Sequence, residues 1–227
     1  MQTRHELTVD GDTLVAVQHE ADSDRLLVFC HGFVSDKEGS YEARCERAVE
    51  EGYDAIRFDF RGCGESDRSF GEQTLSTRMA DLRAVLDAVE YPTVALFGSS
   101  FGGAVALRVA PGSSVDAVAT RAPVTYTRAF DRYRSEGDPV AGPDEAFFAD
   151  LDAHPFEPAA ADLTVPVALF HGREDDSVPV TDSLDAAAVI PTDTTLELYA
   201  GEGHRFSETA ERRLRERLFS WLDETCA

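Results

Sequence analysis

A serine with a glycine two residues to either side, Gly98-Ser99-Ser100-Phe101-Gly102, is the segment of this sequence best suited to chemistry. The apolar run Thr93-Val94-Ala95-Leu96-Phe97 leads into it, and the small-residue stretch Gly103-Ala104-Val105-Ala106-Leu107 leads away. Strand, sharp turn and helix in that order make G-x-S-x-G a nucleophile elbow. Such a turn holds its serine in strained backbone geometry, pushes the hydroxyl clear of the sheet, and uses the glycines to let neighbouring backbones approach. Ser100 is the nucleophile at the motif centre and Ser99 the variable position. A serine hydroxyl is a weak nucleophile at neutral pH, so it needs a base within hydrogen-bond reach and a carboxylate to orient that base.

The chain offers both, in the order Ser, acid, His. Asp175 lies in His171-Gly172-Arg173-Glu174-Asp175-Asp176-Ser177-Val178-Pro179, just beyond the apolar run 165–170. Functional residues of open α/β sheets gather beyond the carboxyl ends of the strands. Asp176 is the competing acid and Glu174 a weaker one. His204 is the base, in Gly201-Glu202-Gly203-His204-Arg205-Phe206, between the last strand and the last helix. His31 and His171 each precede a glycine at a strand end, where packing or loop bonding is the expected role; His5, His19 and His154 have no motif around them. Acyl transfer also needs donors for a developing oxyanion. The N–H of Phe101, next after the serine, is one, and the N–H of Phe33, in the loop His31-Gly32-Phe33, is the other.

Strands are expected at 13–17, 26–30, 53–58, 93–97, 115–119, 165–170 and 194–199. Helices are expected at 41–51, 75–89 and 208–223, besides the one opened by the elbow. Continuous apolar strands such as 26–30 belong in a parallel sheet buried on both faces. Alternation of strands and helices gives an α/β fold, a mostly parallel sheet with helices on both sides. Residues 124–163 break the rhythm. They hold no convincing strand but carry Tyr126, Phe130, Tyr133, Phe147, Phe148 and Phe156, which suggests a small folded lid inserted in a single domain spanning 1–227.

Four motifs in order, His31-Gly32-Phe33, Asp59-Phe60-Arg61-Gly62-Cys63-Gly64-Glu65-Ser66, Gly98 to Gly102, and His171-Gly172 through Asp175 to Val178-Pro179, closed by His204, resemble the α/β-hydrolase superfamily over nearly the whole chain. The second is similar to the D-x-R-G-x-G-x-S loop of that superfamily. Within it the chain resembles small serine esterases and serine-aminopeptidase-like or cinnamoyl-esterase-like hydrolases. The resemblance implies the α/β-hydrolase fold, Ser100, Asp175 and His204 as a triad, backbone donors at Phe33 and Phe101, no cofactor and no metal. The expected substrate is a small-molecule carboxylic ester, with Phe33, Phe101 and the lid aromatics forming an apolar pocket. A thioester, an amide or peptide, or perhydrolysis would use the same triad. A fold that has lost catalysis and serves as a binding protein is the alternative outside enzymes.

Composition adds conditions. The chain of 227 residues carries 43 acidic and 21 basic residues, a net charge of −22, and Lys37 is its one lysine. The acids are spread along the whole chain, a pattern similar to cytoplasmic proteins of salt-accumulating halophiles, in which molar salt screens the self-repulsion of such a surface. The same charge argues against nucleic acid as a partner. There is no signal-type N-terminus and no apolar run of the ~20 residues that cross a bilayer, so a cytoplasmic protein without a membrane partner is expected. Four cysteines without metal-type spacing read as reduced thiols. Oligomeric state is left open.

Overall fold

Three apolar runs form the middle of the sheet. In the computed structural model, which describes residues 1–130 and 143–226, they are β3 (Arg25–Cys30), β5 (Thr93–Ser99) and β7 (Val167–Gly172), buried almost throughout. Around them stand β1 (Gln2–Val9), β2 (Asp12–His19), β4 (Asp54–Phe58), β6 (Ala117–Arg121) and β8 (Thr194–Tyr199). The sheet order is β1-β2-β4-β3-β5-β6-β7-β8, with β1–β2 and β2–β4 antiparallel and every other pair parallel. This is the α/β-hydrolase arrangement that the motifs imply. Helices α1 (Ser40–Glu50), α2 (Leu75–Asp87), α3 (Phe101–Val109), α4 (Glu145–Ala153), α5 (Phe156–Ala161), α6 (Val180–Val189) and α7 (Glu208–Thr225), with 3₁₀ turns at Phe70–Glu72 and Thr127–Phe130, complete the described elements. One core packs α2 and α3 on one side of the sheet through Leu82, Val105 and Leu107. The other packs α1 and α7 through Phe97, Tyr41, Leu214 and Leu218.

Two elements are absent from the sequence-based expectation. β1 is an edge strand whose residues alternate between exposed and half-buried, so polar side chains dilute its period-two signal. It folds back on β2 through Asp10 (φ 52°) and Gly11 (φ 91°), the paired positive φ of a tight hairpin turn. Helix α6 buries Asp182, Ser183 and Ala186, a face without large apolar residues, so no apolar stripe announces it. Strand β6 also begins two residues later than 115–119. The Asp116 carboxylate accepts the Val94 N–H at 2.8 Å and ends the approach to the sheet there.

The described part of 124–163 is a 3₁₀ turn (Thr127–Phe130) with α4 and α5. It is tied down on α2 and α3: the Asp150 carboxylate accepts the Ser76 N–H at 2.9 Å, and Arg108 donates to the carbonyls of His154 and Thr125 at 3.1 and 3.0 Å. Phe147, Leu151 and Phe156 are core residues. Tyr133 lies outside the described residues. Among the described residues no helix is long and apolar enough to cross a membrane.

Candidate active site

The turn from β5 to α3 places Ser100 at φ 54° and ψ −119°, a conformation that L-residues rarely adopt and that costs about 1–3 kcal/mol. Surrounding bonds hold it there. The Ser100 N–H donates to the Arg121 carbonyl at 2.8 Å, and its own carbonyl accepts the Val124 N–H at 3.1 Å. The glycines are steric requirements: a Cβ on Gly98 would stand 2.5 Å from the Gly102 carbonyl oxygen, and one on Gly102 would stand 2.5 Å from that of His31.

Of the three competing acids, Asp175 is the one bonded to His204. Its Oδ2 lies 2.8 Å from His204 Nδ1, while its Oδ1 accepts the N–H groups of Ser177 and Val178 at 2.9 and 2.8 Å. Asp176 faces the cavity but among the described residues bonds only the Ser177 hydroxyl, at 3.3 Å, and Glu174 accepts the Gly201 N–H at 2.7 Å. Burial alone would raise the Asp175 pKa. Hydrogen bonds from His171, His204 and the Val178 amide overcome it and hold the carboxyl far below the ordinary range, so it is an anion at every working pH. An anionic acceptor puts the His204 proton on Nδ1 and leaves Nε2 as a lone pair. Ser100 and His204 line the same cavity. No hydrogen bond joins their side chains among the described residues. Catalytic hydrogen bonds commonly tighten only in the substrate complex.

His171, expected to bond its loop, also touches the acid. Its Nε2 faces the Val178 carbonyl at 3.0 Å and Asp175 Oδ2 at 3.2 Å, two acceptors that place the proton on Nε2. Its Nδ1 then accepts from the Ser183 hydroxyl at 2.7 Å. Asp175 is thus gripped from four directions.

The loop bearing Phe33 is held just as firmly. The amides of Phe33 and Phe101 make no hydrogen bond among the described residues, which leaves both as free donors near the serine. His31 bonds the Gly32 carbonyl through Nδ1 (2.8 Å) and accepts the Phe60 N–H at Nε2 (3.1 Å); burial keeps its pKa well below the usual value, hence neutral. The D-x-R-G-x-G-x-S loop supports the same segment. The Asp59 carboxylate takes the Lys37 N–H at 2.7 Å, its ammonium at 2.8 Å and the Glu65 N–H at 2.8 Å. The one lysine of the chain is thereby a buried strut. Arg78, on α2, is a residue that sequence reasoning missed. Fully buried, it donates to the carbonyls of Gly32 and Phe33 at 3.1 and 2.8 Å and stacks over the rings of Phe33, Phe60 and Phe101. Burial pushes its pKa down to about 10, and it stays charged. Arg78→Gln should therefore loosen the Phe33 amide. A misplaced donor of this kind costs about 10²-fold in kcat, with a smaller change in KM. Arg78→Lys should not restore the rate, because one ammonium cannot bridge two carbonyls as the fork does. Steady-state kinetics of both variants check this.

The cavity above Ser100 has a volume of about 770 Å³. Phe33, Val34, Val124 and Phe130 give it an apolar wall. The expected aromatic pocket is only partly realised: Phe101, Phe147 and Phe156 are buried behind that wall as core, with Phe33 packed edge-on to Phe101 at 5.4 Å and Phe130 at 5.3 Å. The opposite wall is polar, with Ser99, marked in the sequence only as the variable position of the motif, and Arg121 and Glu211, which the sequence does not single out. No group of histidine, cysteine or acidic residues suited to a metal ion occurs among the described residues.

A family model described as "Alpha/beta hydrolase family" matches residues 27–217. Among characterised proteins, the mitochondrial palmitoyl-protein thioesterase ABHD10 of Rattus norvegicus is 27% identical, over 83% of this chain and 71% of its own, and that of Homo sapiens is 26% identical over 83% and 69%. Among solved structures, Est1E from Butyrivibrio proteoclasticus with ferulic acid bound superposes with a TM-score of 0.87 at 21% identity, over 98% of this chain and 99% of that one. Mouse alpha/beta hydrolase domain-containing protein 10 gives 0.85 at 24% identity, over 98% and 99%. Both likenesses show the fold.

Proposed function

Because the chain belongs to the alpha/beta hydrolase family, we propose that it is a serine hydrolase that cleaves carboxylic esters through an acyl-enzyme. The observation that carries this reading is the pairing of a strained, exposed-side serine with a histidine whose Nδ1 is fixed 2.8 Å from a buried carboxylate, both at one cavity.

In this mechanism Ser100 Oγ attacks the ester carbonyl as His204 Nε2 takes its proton. The N–H groups of Phe33 and Phe101 stabilise the oxyanion of the tetrahedral intermediate. Collapse expels the alcohol, which leaves with the proton from His204. A water, deprotonated by the same nitrogen, then attacks the acyl-enzyme; the acid departs and Ser100 regains its proton. Asp175 stays ionised throughout, holding His204 in the useful tautomer and supporting its charge. Thioesters are a second class worth assaying, since the ABHD10 proteins are named palmitoyl-protein thioesterases; a triad of this type attacks either carbonyl.

Assays of short p-nitrophenyl esters and matching acyl thioesters, with fluorophosphonate labelling of Ser100, test the reading. Turnover together with stoichiometric labelling is expected. A folded protein that neither turns over these substrates nor labels would return the chain to the non-catalytic alternative.

We also propose that the protein works in concentrated salt within a cytoplasm, supported by 43 acidic against 21 basic residues. In dilute buffer those acids repel one another, and at 1 M salt the Debye length falls to ~3 Å. Raising KCl from 0.1 to 2 M should lift Tm by about 10 °C, several kcal/mol for a chain of this size. An unchanged Tm in a thermal melt series would sink the salt reading alone.

A further inference from the structure

The polar wall of the cavity contains more positive charge and more hydrogen-bond donors than it uses. Arg121 ends β6 directly opposite Ser99 of β5, so in parallel register both side chains leave the same face of the sheet, one residue before the nucleophile. On that face Arg121 Nη1 donates to Glu211 Oε1 at 2.5 Å, and Arg44 Nη2 donates to both Glu211 oxygens at 3.1 and 2.9 Å. One carboxylate thus serves two guanidinium groups and leaves a net charge of about +1 in a site where Arg44 and Ser99 are each at least 98% buried. The donors are also incompletely used. Among the described residues Arg121 Nε, Arg44 Nε and Nη1, and Ser99 Oγ are buried without a hydrogen-bond partner, and besides Glu211 the guanidinium groups meet aromatic rings, Arg44 over Tyr41 and Phe97 and Arg121 over Phe206. Leaving buried polar groups unpaired destabilises the fold, and more so for charged ones. A structural ion pair would be neutral and saturated, and this cluster is neither.

We propose that Arg121 and Ser99, backed by Arg44 and Glu211, form a subsite for a carboxylate carried by the ester substrate. It rests on the serine-hydrolase reading and deepens it by naming the substrate class. A carboxylate matches on three counts. Its single negative charge balances the single excess positive one. Its planar pair of oxygens fits a guanidinium edge, with the Ser99 hydroxyl as an added donor. A dianion such as a phosphate monoester would overcompensate the site in a chain of net charge −22. The position beside Ser100 and His204 places the carboxylate a short linker from the scissile carbonyl, on the α1 and α7 side of the sheet, opposite the apolar wall of Phe33 and Phe130. The apolar wall would take the uncharged part of the substrate.

The test uses two matched pairs of esters. 4-Carboxyphenyl butyrate against 4-carbamoylphenyl butyrate puts the charge on the alcohol; monophenyl glutarate against phenyl glutaramate puts it on the acyl group. In each pair an amide replaces the carboxylate at nearly constant shape, and the readout is the ratio of kcat/KM, acid over amide. Wild type should favour the acid in one pair by about ten- to a hundredfold, the range of a hydrogen bond to a charged group. The pair that shows it tells on which side of the ester the charge sits. Arg121→Gln should bring that ratio to about one, Arg121→Lys should keep part of it, and Glu211→Gln, which raises the local positive charge, should increase it. A purely structural arginine would lower both members of a pair together and leave the ratio alone. Fluorophosphonate labelling of each variant reports whether its fold survives. Amide-bearing esters cleaved with a ratio of one or below in both wild-type pairs would overturn the subsite and leave the hydrolase reading standing, as would a preference that persists in a folded Arg121→Gln. Wild type that cleaves no member of either pair would overturn both.

Discussion

Replacing Ser100 by alanine should lower kcat for ester hydrolysis by about 10⁶-fold, with the fold unchanged. The magnitude is that of removing the nucleophile from a serine triad, where the remaining rate comes from the oxyanion donors and binding alone. The fold should survive because the cavity-facing hydroxyl has no hydrogen bond among the described residues to lose, while the backbone bonds of residue 100 to Arg121 and Val124 do not involve the side chain. Alanine at φ 54° bears about the same strain as serine. The comparison is made with p-nitrophenyl butyrate in molar KCl, with circular dichroism on both proteins. Activity that persists within tenfold of wild type would mean that another group attacks the carbonyl.

Asp175→Asn should cost about 10⁴-fold in kcat, and the reason is hydrogen-bond polarity rather than lost charge alone. Oδ1 can go on accepting the Ser177 and Val178 amides. The other atom becomes an NH₂ group facing the Nε2–H of His171 and the Nδ1 of His204. Only the Nδ1-unprotonated tautomer of His204 can accept from it, and that tautomer turns a proton, not a lone pair, toward Ser100. Asp176→Asn should leave most of the activity, because Asp176 bonds a neighbouring hydroxyl and not the histidine. Rates for the two variants measured side by side decide the matter. The reverse ranking would move the acid by one residue.

How much of this was legible beforehand depended on distance along the chain. The central strands and the closing helix follow from apolar periodicity, which burial on one or both faces imposes locally. The elbow follows from five consecutive residues, because a sharp turn between strand and helix needs its glycines nearby. The order Ser100, Asp175, His204 could be proposed from the sequence because each follows a strand end marked by a short motif. β1 gives a weak signal because Thr3 and His5 share its inner face with Leu7 and Val9, and α6 because its buried face is small or polar, so in neither does the period carry much contrast.

Of the supporting shell, the Asp59 loop and His31 were marked by motifs, but the arginines were not legible. Arg78 reaches across 45 residues to the Phe33 carbonyl, and Arg44 across 167 to Glu211. No local pattern distinguishes these arginines from solvated ones. In a chain with 43 acidic residues, neither composition nor spacing says which carboxylate meets which cation. The sequence by itself determined the fold, the elbow and the chemical types along the carboxyl edge of the sheet, since those depend on neighbours a few residues apart. The tertiary structure bonds Asp175, the acid preferred from the sequence, to His204, and it alone decided that Arg78 grips the Phe33 loop and that two arginines share one glutamate beside Ser99. Those outcomes depend on which buried polar groups find partners once the helices pack on the sheet, and burial raises the energetic stake of each such pairing.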